Sequence, residues 1–375
     1  MKQITVKQLW FFPLLFGILG AFIGLILRYA FTGSITDFPF KFVLHSHSHV
    51  MLLGFIFNAL IVLLFTRFTN GIDTRSYQLY IALQVCVSVM LVMFIIQGYA
   101  FVTILFSTLH LWISYVLLIR LWKRLQGEKS IVNLIKIGIV FHFISSIGPY
   151  TLGPLMALEM QDSPWYQQAI FFYLHFQYFG SFFLWMLAVL LKKTGSIISK
   201  KQQLFIVISV SLLYAHSLDF SFNNSMIQLA GSIGSVLLFI VLSKFKTTFS
   251  TQSTAYKFIF GIILLIGLLN CIGSTTFMAD LVSENRFVLI AWLHLLFLGM
   301  YTPFIWIETQ IKISKILWVL YAFFIIFSES LLMFPSIFSE WFSTSIMWLL
   351  FIAYFGVFLC ISVVHLTSLF SKEIK

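Results

Sequence analysis

The stretch LHSHSHVMLLGFIFNALIVLLFT, residues 44–66, contains no Lys, Arg, Asp or Glu in its 23 positions. A helix of about 20 mostly apolar residues is long enough to cross the hydrocarbon core of a bilayer. The stretch therefore predicts a membrane-spanning helix, and it places three histidines at one end of that helix.

Similar apolar runs fill the rest of the chain. Of its 375 residues, 60% are hydrophobic and 9% are charged, whereas a soluble domain carries about 25% charged residues. No stretch between runs is long enough for a separate folded domain. We therefore predict an all-α polytopic membrane helical bundle of about twelve transmembrane helices, forming a single transmembrane domain over residues 1–375, with eleven or thirteen helices left open. The twelve runs lie at residues 9–31, 44–66, 77–98, 100–121, 132–157, 166–191, 203–219, 227–243, 257–275, 287–307, 315–335 and 343–367.

The basic residues predict the orientation of the chain. Nineteen of the 23 Lys and Arg lie at the two termini or in the loops that follow the even-numbered runs. Basic loops stay in the cytoplasm, so both termini are expected there. The same placement accounts for the net charge of +11 without nucleic acid as a partner. We expect an integral membrane protein surrounded by the lipid bilayer, in a bacterial inner (cytoplasmic) membrane.

Three histidines open the second run. At about 100° per residue, His45 and His49 share one helical face, and His47 points to the opposite side. Such a pair can bind one metal, or one imidazole can bind a heme iron while the other bonds a propionate or the backbone. A polar cap at the start of a helix is the alternative interpretation.

Other ionisable residues lie inside the apolar runs, where they are costly and become functional candidates. His175, His216 and His294 fall in the outer half of the predicted membrane, as the first three histidines do. Imidazole is a common ligand of iron, copper and zinc, although packing also accounts for any one of these residues alone. Glu329 and Tyr178 are candidates for a proton path, and a hydrogen bond between helices is the alternative for Glu329.

The remaining histidines and the cysteines carry weaker signals. His110 and His142 lie near mid-membrane, where packing or a supporting contact is favoured, and His365 is expected at the inner interface. The three cysteines lie singly in different runs, which is unfavourable for a thiolate zinc site or a disulfide framework.

The overall pattern resembles subunit I of the heme–copper oxidases. That family has twelve helices, cytoplasmic termini and metal-binding histidines on its second, sixth, seventh and tenth helices, in the outer half of the membrane. Here the outer-half histidines fall on the same four helices. The motifs HSHVMLLG at residues 47–54 and HLLFLG at residues 294–299 also resemble the NnrS-type membrane proteins, which are heme- and copper-containing relatives linked to nitric oxide stress.

The resemblance implies roles for individual residues. His49 or His45, together with His294, would be axial heme ligands, and Arg286 or Lys41 would hold the heme propionates. His175 and His216 would lie where the family holds copper, and His47 is a further candidate metal ligand.

The chain also departs from the family pattern. Its seventh helix has one histidine instead of an adjacent pair, and its tenth has one instead of two around an aromatic residue. The arginine pair of the last outer loop, the eighth-helix lysine and the proton-channel carboxylates are absent from the sequence. One heme or one metal therefore fits the number of ligands better than two hemes plus copper.

Three functional hypotheses follow. The first is a heme- and/or copper-binding protein that is an oxidoreductase of the heme–copper oxidase-like type, or that handles nitric oxide, heme or metal, with a redox donor or a partner subunit. The second is a proton-coupled membrane transporter without a cofactor, whose path uses the histidines and Glu329. The third is a scaffold without a cofactor.

Overall fold

A computed structural model describes residues 4–222, 224–341 and 345–371. The regular structure within these ranges is helical, without a β-strand. Eleven helices in the described part of the chain are long and apolar enough to cross a membrane. The chain is therefore a polytopic α-helical integral membrane protein, and the predicted all-α bundle is confirmed.

Each of the twelve apolar runs is helical, and these helices are numbered α1–α12. Within the described ranges, three short helices lie in the connections between them, at Lys246–Ser250, Thr276–Glu284 and Pro335–Trp341. The run at residues 203–219 forms two shorter helices that meet at Tyr214, and this break lowers the number of continuous spans among the described residues to eleven. In chain order the helices are α1 Val6–Ala30, α2 Phe40–Phe68, α3 Thr74–Gln97, α4 Phe101–Arg124, α5 Lys129–Ala157, α6 Pro164–Thr194, α7 Lys200–Leu213 with Ala215–Phe222, α8 Ser225–Ser243, α9 Thr254–Gly273, α10 Phe287–Glu308, α11 Lys315–Met333 and α12 Ile346–Phe370.

Local sequence signals set several helix ends. α1 begins with a capping box, in which the side chains of Thr5 and Gln8 each accept a hydrogen bond from the other's backbone N–H. Ser199 and Gln202 repeat this arrangement at the start of α7. These bonds satisfy backbone donors that the helix itself leaves unpaired. α3 ends at Gln97, and the residue after it, Gly98, has a φ of 61°, in the region of positive φ that glycine tolerates.

Contacts between Cα atoms divide the chain into two compact units. The first unit contains Met1–Lys123 and Ala291–Lys375, and the second contains Arg124–Ile290. In the first unit, α1 packs against α2 and α12, and α12 also packs against α11. In the second unit, α6 packs against α5, and α8 packs against α7 and α9. The single-domain organisation stays a prediction.

α2 and α6 are the most buried helices. In their apolar segments, 89% and 94% of the residues are buried, compared with 28–39% in α3, α4, α8, α9, α11 and α12. The less buried helices expose large apolar side chains, as expected for surfaces that face lipid. Polar side chains on α2 and α6 are therefore shielded by other helices.

Glycines on one side of α1 let neighbouring side chains approach the helix closely. A Cβ on Gly17 would lie 2.3 Å from Cε1 of His365, and one on Gly24 would lie 2.4 Å from the hydroxyl of Tyr354. Small residues at such spacings allow close packing of helices in membranes. His365 is 0% exposed in this position, and its expected depth at the inner interface stays a prediction.

We predict that Gly17→Ala destabilises the protein by about 1–3 kcal/mol, because the added methyl overpacks the site of the His365 ring. Gly261→Ala in α9 is the matched control, since a Cβ there meets no atom within 4 Å. We expect this control to be neutral or slightly stabilising. Thermal unfolding of both variants in mild detergent measures the difference, and equal stabilities would contradict the packing described here.

Candidate functional site

His47 is held by α2 against the backbone of α1. Its Nδ1 lies 2.8 Å from the carbonyl oxygen of Gly20, and a Cβ on Gly24 would be 2.9 Å from its Cε1. A carbonyl oxygen only accepts hydrogen bonds, so Nδ1 carries the proton, and Nε2 of the neutral ring keeps its lone pair. His47 therefore has one ring nitrogen fixed by the backbone and a second that can act as a ligand.

A charged network lies beside His47. Nδ1 of His294 is 2.9 Å from Oε1 of Glu329, and Nη2 of Arg28 is 3.9 Å from the same oxygen. The guanidinium carbon of Arg28 is 5.7 Å from the ring centre of Tyr354. The Tyr354 hydroxyl and the His47 ring both lie over Gly24. We call the following five residues the Arg28 cluster: Arg28, His47, His294, Glu329 and Tyr354.

The ionised side chains of the Arg28 cluster are largely removed from solvent. Arg28 and Glu329 retain 7% and 13% of their side-chain exposure. Buried charges require partners of opposite charge, and each side chain supplies one for the other. The pairing favours the ionised carboxylate, which carries no proton. Nδ1 of His294 makes no regular hydrogen bond among the described residues. It lies 2.9 Å from the carboxylate oxygen of Glu329, and because two lone pairs repel each other at this distance, the proton of the imidazole belongs on Nδ1.

His45 and His49 lie on the other face of α2, as the helical repeat predicts. Their ring centres are 4.4–6.1 Å from those of Phe94 and Tyr99. Nδ1 of His49 is 2.9 Å from the carbonyl oxygen of His45, and its Nε2 is 3.5 Å from the Tyr99 hydroxyl. Nε2 of His45 is buried without a hydrogen-bond partner among the described residues. The pair singled out from the sequence therefore lies in an aromatic environment, and His47 is the histidine of α2 that joins the Arg28 cluster.

In the second unit, His175 and His216 each use one ring nitrogen to connect helices. Nε2 of His175 is 2.8 Å from the carbonyl oxygen of Val210 in α7. Nε2 of His216 is 2.9 Å from Oγ of Ser235 in α8. The ring of Tyr178 is buried 5.9 Å from that of His175, centre to centre. These contacts give both histidines a packing role, and the copper and proton-path roles expected for these residues stay predictions.

Three helices, α2, α6 and α10, share a backbone feature that the sequence analysis did not predict. Each contains a π-helical segment, and these segments are Val50–Phe57, Phe176–Phe182 and Leu295–Tyr301. Each segment starts directly after a histidine and has glycine as its fifth residue, which gives the pattern His-x-x-x-x-Gly at residues 49–54, 175–180 and 294–299. The pattern recurs at every fourth helix. π-Helical turns are rare and frequently mark functional sites. The repeated pattern His-x-x-x-x-Gly is the sequence signal for these segments, and the histidines taken one by one do not reveal it.

The structure brings together only part of the predicted site. His294 and Glu329 are in contact beside His47, whereas the side chain of Arg286 lies outside the described residues, so its propionate role stays a prediction. Sequence reasoning missed Arg28 and Tyr354 as members of the site. An arginine inside an apolar run was the available signal.

The chain matches no protein-family model and no curated protein sequence. The resemblance to the heme–copper oxidases stays an expectation from topology and short motifs. Because a fold alone does not determine function, the functional interpretation rests on the side chains of the Arg28 cluster.

We predict that Glu329→Ala destabilises the protein by about 3–5 kcal/mol, because it leaves the buried Arg28 guanidinium without its carboxylate. Glu340→Ala is the matched control, since Glu340 is exposed in the same unit. The double variant Arg28→Leu/Glu329→Leu removes both charges and should be more stable than Glu329→Ala. Thermal unfolding of these variants in detergent measures the differences. If Glu329→Ala is as stable as the Glu340→Ala control, the ion pair between Arg28 and Glu329 does not stabilise the fold.

Proposed function

We propose that this protein binds one heme in the outer half of the membrane, and that His47 and His294 would hold its iron. The proposal is supported by the position of Nδ1 in each imidazole, which lies against an oxygen atom that can accept its proton. One Nδ1 faces the Gly20 carbonyl and the other faces the Glu329 carboxylate. Histidines that bind metals usually donate their second ring N–H to such an oxygen, which fixes the ring and leaves Nε2 as the ligand atom.

The side chains of the Arg28 cluster fit the requirements of a heme. A heme takes only one or two axial ligands from the protein, because the porphyrin supplies the others. The propionates are carboxylates, and a guanidinium binds a carboxylate through two parallel hydrogen bonds. Arg28 is the arginine of the cluster and lies 5.7 Å over the ring of Tyr354. A heme bound there would supply electron transfer or the binding of a small gas.

Copper fits the described residues less well than heme. A copper centre of the kind found in the family takes several imidazoles on one ion, and the described residues contain no group of three or more His, Cys, Asp or Glu that could hold a metal. His175 and His216 also use Nε2 for bonds within the second unit. We therefore limit the proposal to heme.

Only the resemblance to the heme–copper oxidases connects a bound heme with a particular activity. One heme in a helical bundle is compatible with three functions: an oxidoreductase of the heme–copper oxidase-like type, a nitric-oxide-related protein and a heme-handling protein. A redox donor or a partner subunit belongs to the first of these, and a bacterial inner membrane is the location that we propose for all three. The apolar helices support a membrane location in general.

We predict that the protein, purified in mild detergent after heme supplementation, has a Soret band and near-stoichiometric iron. His47→Ala and His294→Ala should each abolish or shift the band, because each removes a candidate ligand. His49→Ala is the matched control on the same helix and should leave the band unchanged. Visible spectroscopy with metal analysis measures all three variants.

Two outcomes would contradict this assignment. A band that survives His47→Ala but is lost in His49→Ala or His45→Ala would return the ligand role to the pair expected from the sequence. A colourless protein without iron would overturn the heme proposal itself.

The Arg28 cluster also favours a second function, proton-coupled transport. Oε2 of Glu329 is buried without a hydrogen-bond partner among the described residues, and Oε1 contacts an imidazole that can exchange a proton. Intramembrane carboxylates and histidines of this kind form proton relays in transporters.

We predict that a transporter without a cofactor dissipates a pH gradient across the membrane of proteoliposomes, as measured with a pH-sensitive dye. Glu329→Gln should abolish this proton flux, because the amide cannot carry a proton. Vesicles of the wild-type protein that hold their gradient in the presence of candidate substrates would contradict this function.

A further inference from the structure

Three buried polar atoms in the first unit lack a protein partner. They are Nε2 of His365, Nε1 of Trp306 and Oγ of Ser362, which have no hydrogen-bond partner among the described residues. Their side chains are 0%, 0% and 8% exposed, respectively. A buried donor or acceptor without a partner costs free energy and is uncommon in native proteins. Two of them belong to rings that are in contact, those of His365 and Trp306, which indicates a site for a ligand.

The side chains of His365 and Trp306 are neighbours beside α1, and Ser362 lies on the same helix as His365. The rings of Trp306 and His365 lie edge to face, with their centres 6.1 Å apart. Ser362 precedes His365 by three residues on α12, so the two lie about 60° apart on one side of the helix. Gly17 provides the space for the imidazole, since a Cβ there would be 2.3 Å from Cε1. The rings of His365 and Trp306 therefore border one internal region, and Ser362 lies on the adjoining turn of α12.

The hydrogen-bonding character of these atoms identifies the ligand class. Nδ1 of His365 is 2.9 Å from the carbonyl oxygen of Leu14, so Nδ1 is the donor, and Nε2 of the neutral ring is an acceptor. The indole N–H of Trp306 only donates, and the hydroxyl of Ser362 does both. The ligand must therefore donate to His365 and accept from Trp306. An anion cannot donate to the imidazole, and a metal ion finds only one nitrogen ligand, whereas water meets both requirements in the smallest volume.

We propose that His365, Trp306 and Ser362 hold an internal water molecule in the half of the first unit remote from the Arg28 cluster. Leu14 and Arg28 are separated by about 21 Å along α1, at 1.5 Å per residue. The water site is therefore distinct from the heme site and does not depend on it. In the predicted orientation it lies in the cytoplasmic half of the membrane. The water gives the His365 ring a partner for proton exchange inside the hydrocarbon region.

Hydroxyl-radical footprinting with X-ray radiolysis tests this proposal on the full-length protein in detergent. Radiolysis of a bound water oxidises the side chain next to it, even where that side chain is shielded from solvent. Trp185 is the matched control, because it is 0% exposed and its Nε1 donates to the carbonyl oxygen of Ile135 at 3.2 Å. We expect Trp306 to be oxidised at least about fivefold faster than Trp185, because only Trp306 would contact a bound water. Radiolysis in ¹⁸O-labelled water should place the label on Trp306.

A serine variant distinguishes oxidation of Trp306 by the bound water from oxidation by other routes. Ser362→Ala removes one of the three polar partners and should slow the oxidation of Trp306. Ser209→Ala, at a buried serine whose hydroxyl bonds the carbonyl oxygen of Phe205, should leave it unchanged. Equal rates for Trp306 and Trp185 in the wild-type protein would overturn the proposal. A fast Trp306 rate that survives both Ser362→Ala and His365→Leu would overturn it as well.

Discussion

The hydrocarbon core of a bilayer offers no hydrogen bonds, so a polar group placed there needs a partner inside the protein. The helices meet this requirement for the backbone, and three histidines meet it at one ring nitrogen through a neighbouring helix. His47 bonds a carbonyl of α1, His175 bonds a carbonyl of α7, and His365 bonds a second carbonyl of α1. Each bond satisfies one ring nitrogen and fixes the direction in which the other points. The chemistry available at each site therefore depends on which of the two nitrogens stays without a protein partner.

Close approach of helices is the second condition for these bonds. A carbonyl in the middle of a helix is shielded by side chains unless small residues expose it. On α1, Gly17 and Gly24 leave room for the rings of His365 and His47 and for the hydroxyl of Tyr354. The π-helical turns in α2, α6 and α10 change the register of the chain just after a histidine. Glycine spacing and helical irregularity together therefore position side chains that a regular helix would place elsewhere.

The Arg28 cluster shows how one arrangement can serve structure and function. The guanidinium and the carboxylate of Glu329 neutralise each other in a buried position. The same carboxylate contacts His294, which keeps a second nitrogen for a ligand. A heme protein and a proton-coupled transporter both need such a group, because each requires an imidazole held in one orientation inside the membrane. The cofactor distinguishes the two functions, and the side-chain geometry is compatible with both.

The sequence by itself determined the class of protein, the number of apolar segments and the helices that carry the histidines. These properties depend on local composition, because each span must be apolar over about 20 residues whatever its neighbours are. The opposite faces of His45 and His47 also followed from the repeat of one helix. Only the tertiary structure decided that Arg28 pairs with Glu329 and that His365 is buried against the backbone of α1. Those contacts join residues hundreds of positions apart, and they depend on the packing of α1 against α2 and α12, which local composition does not encode.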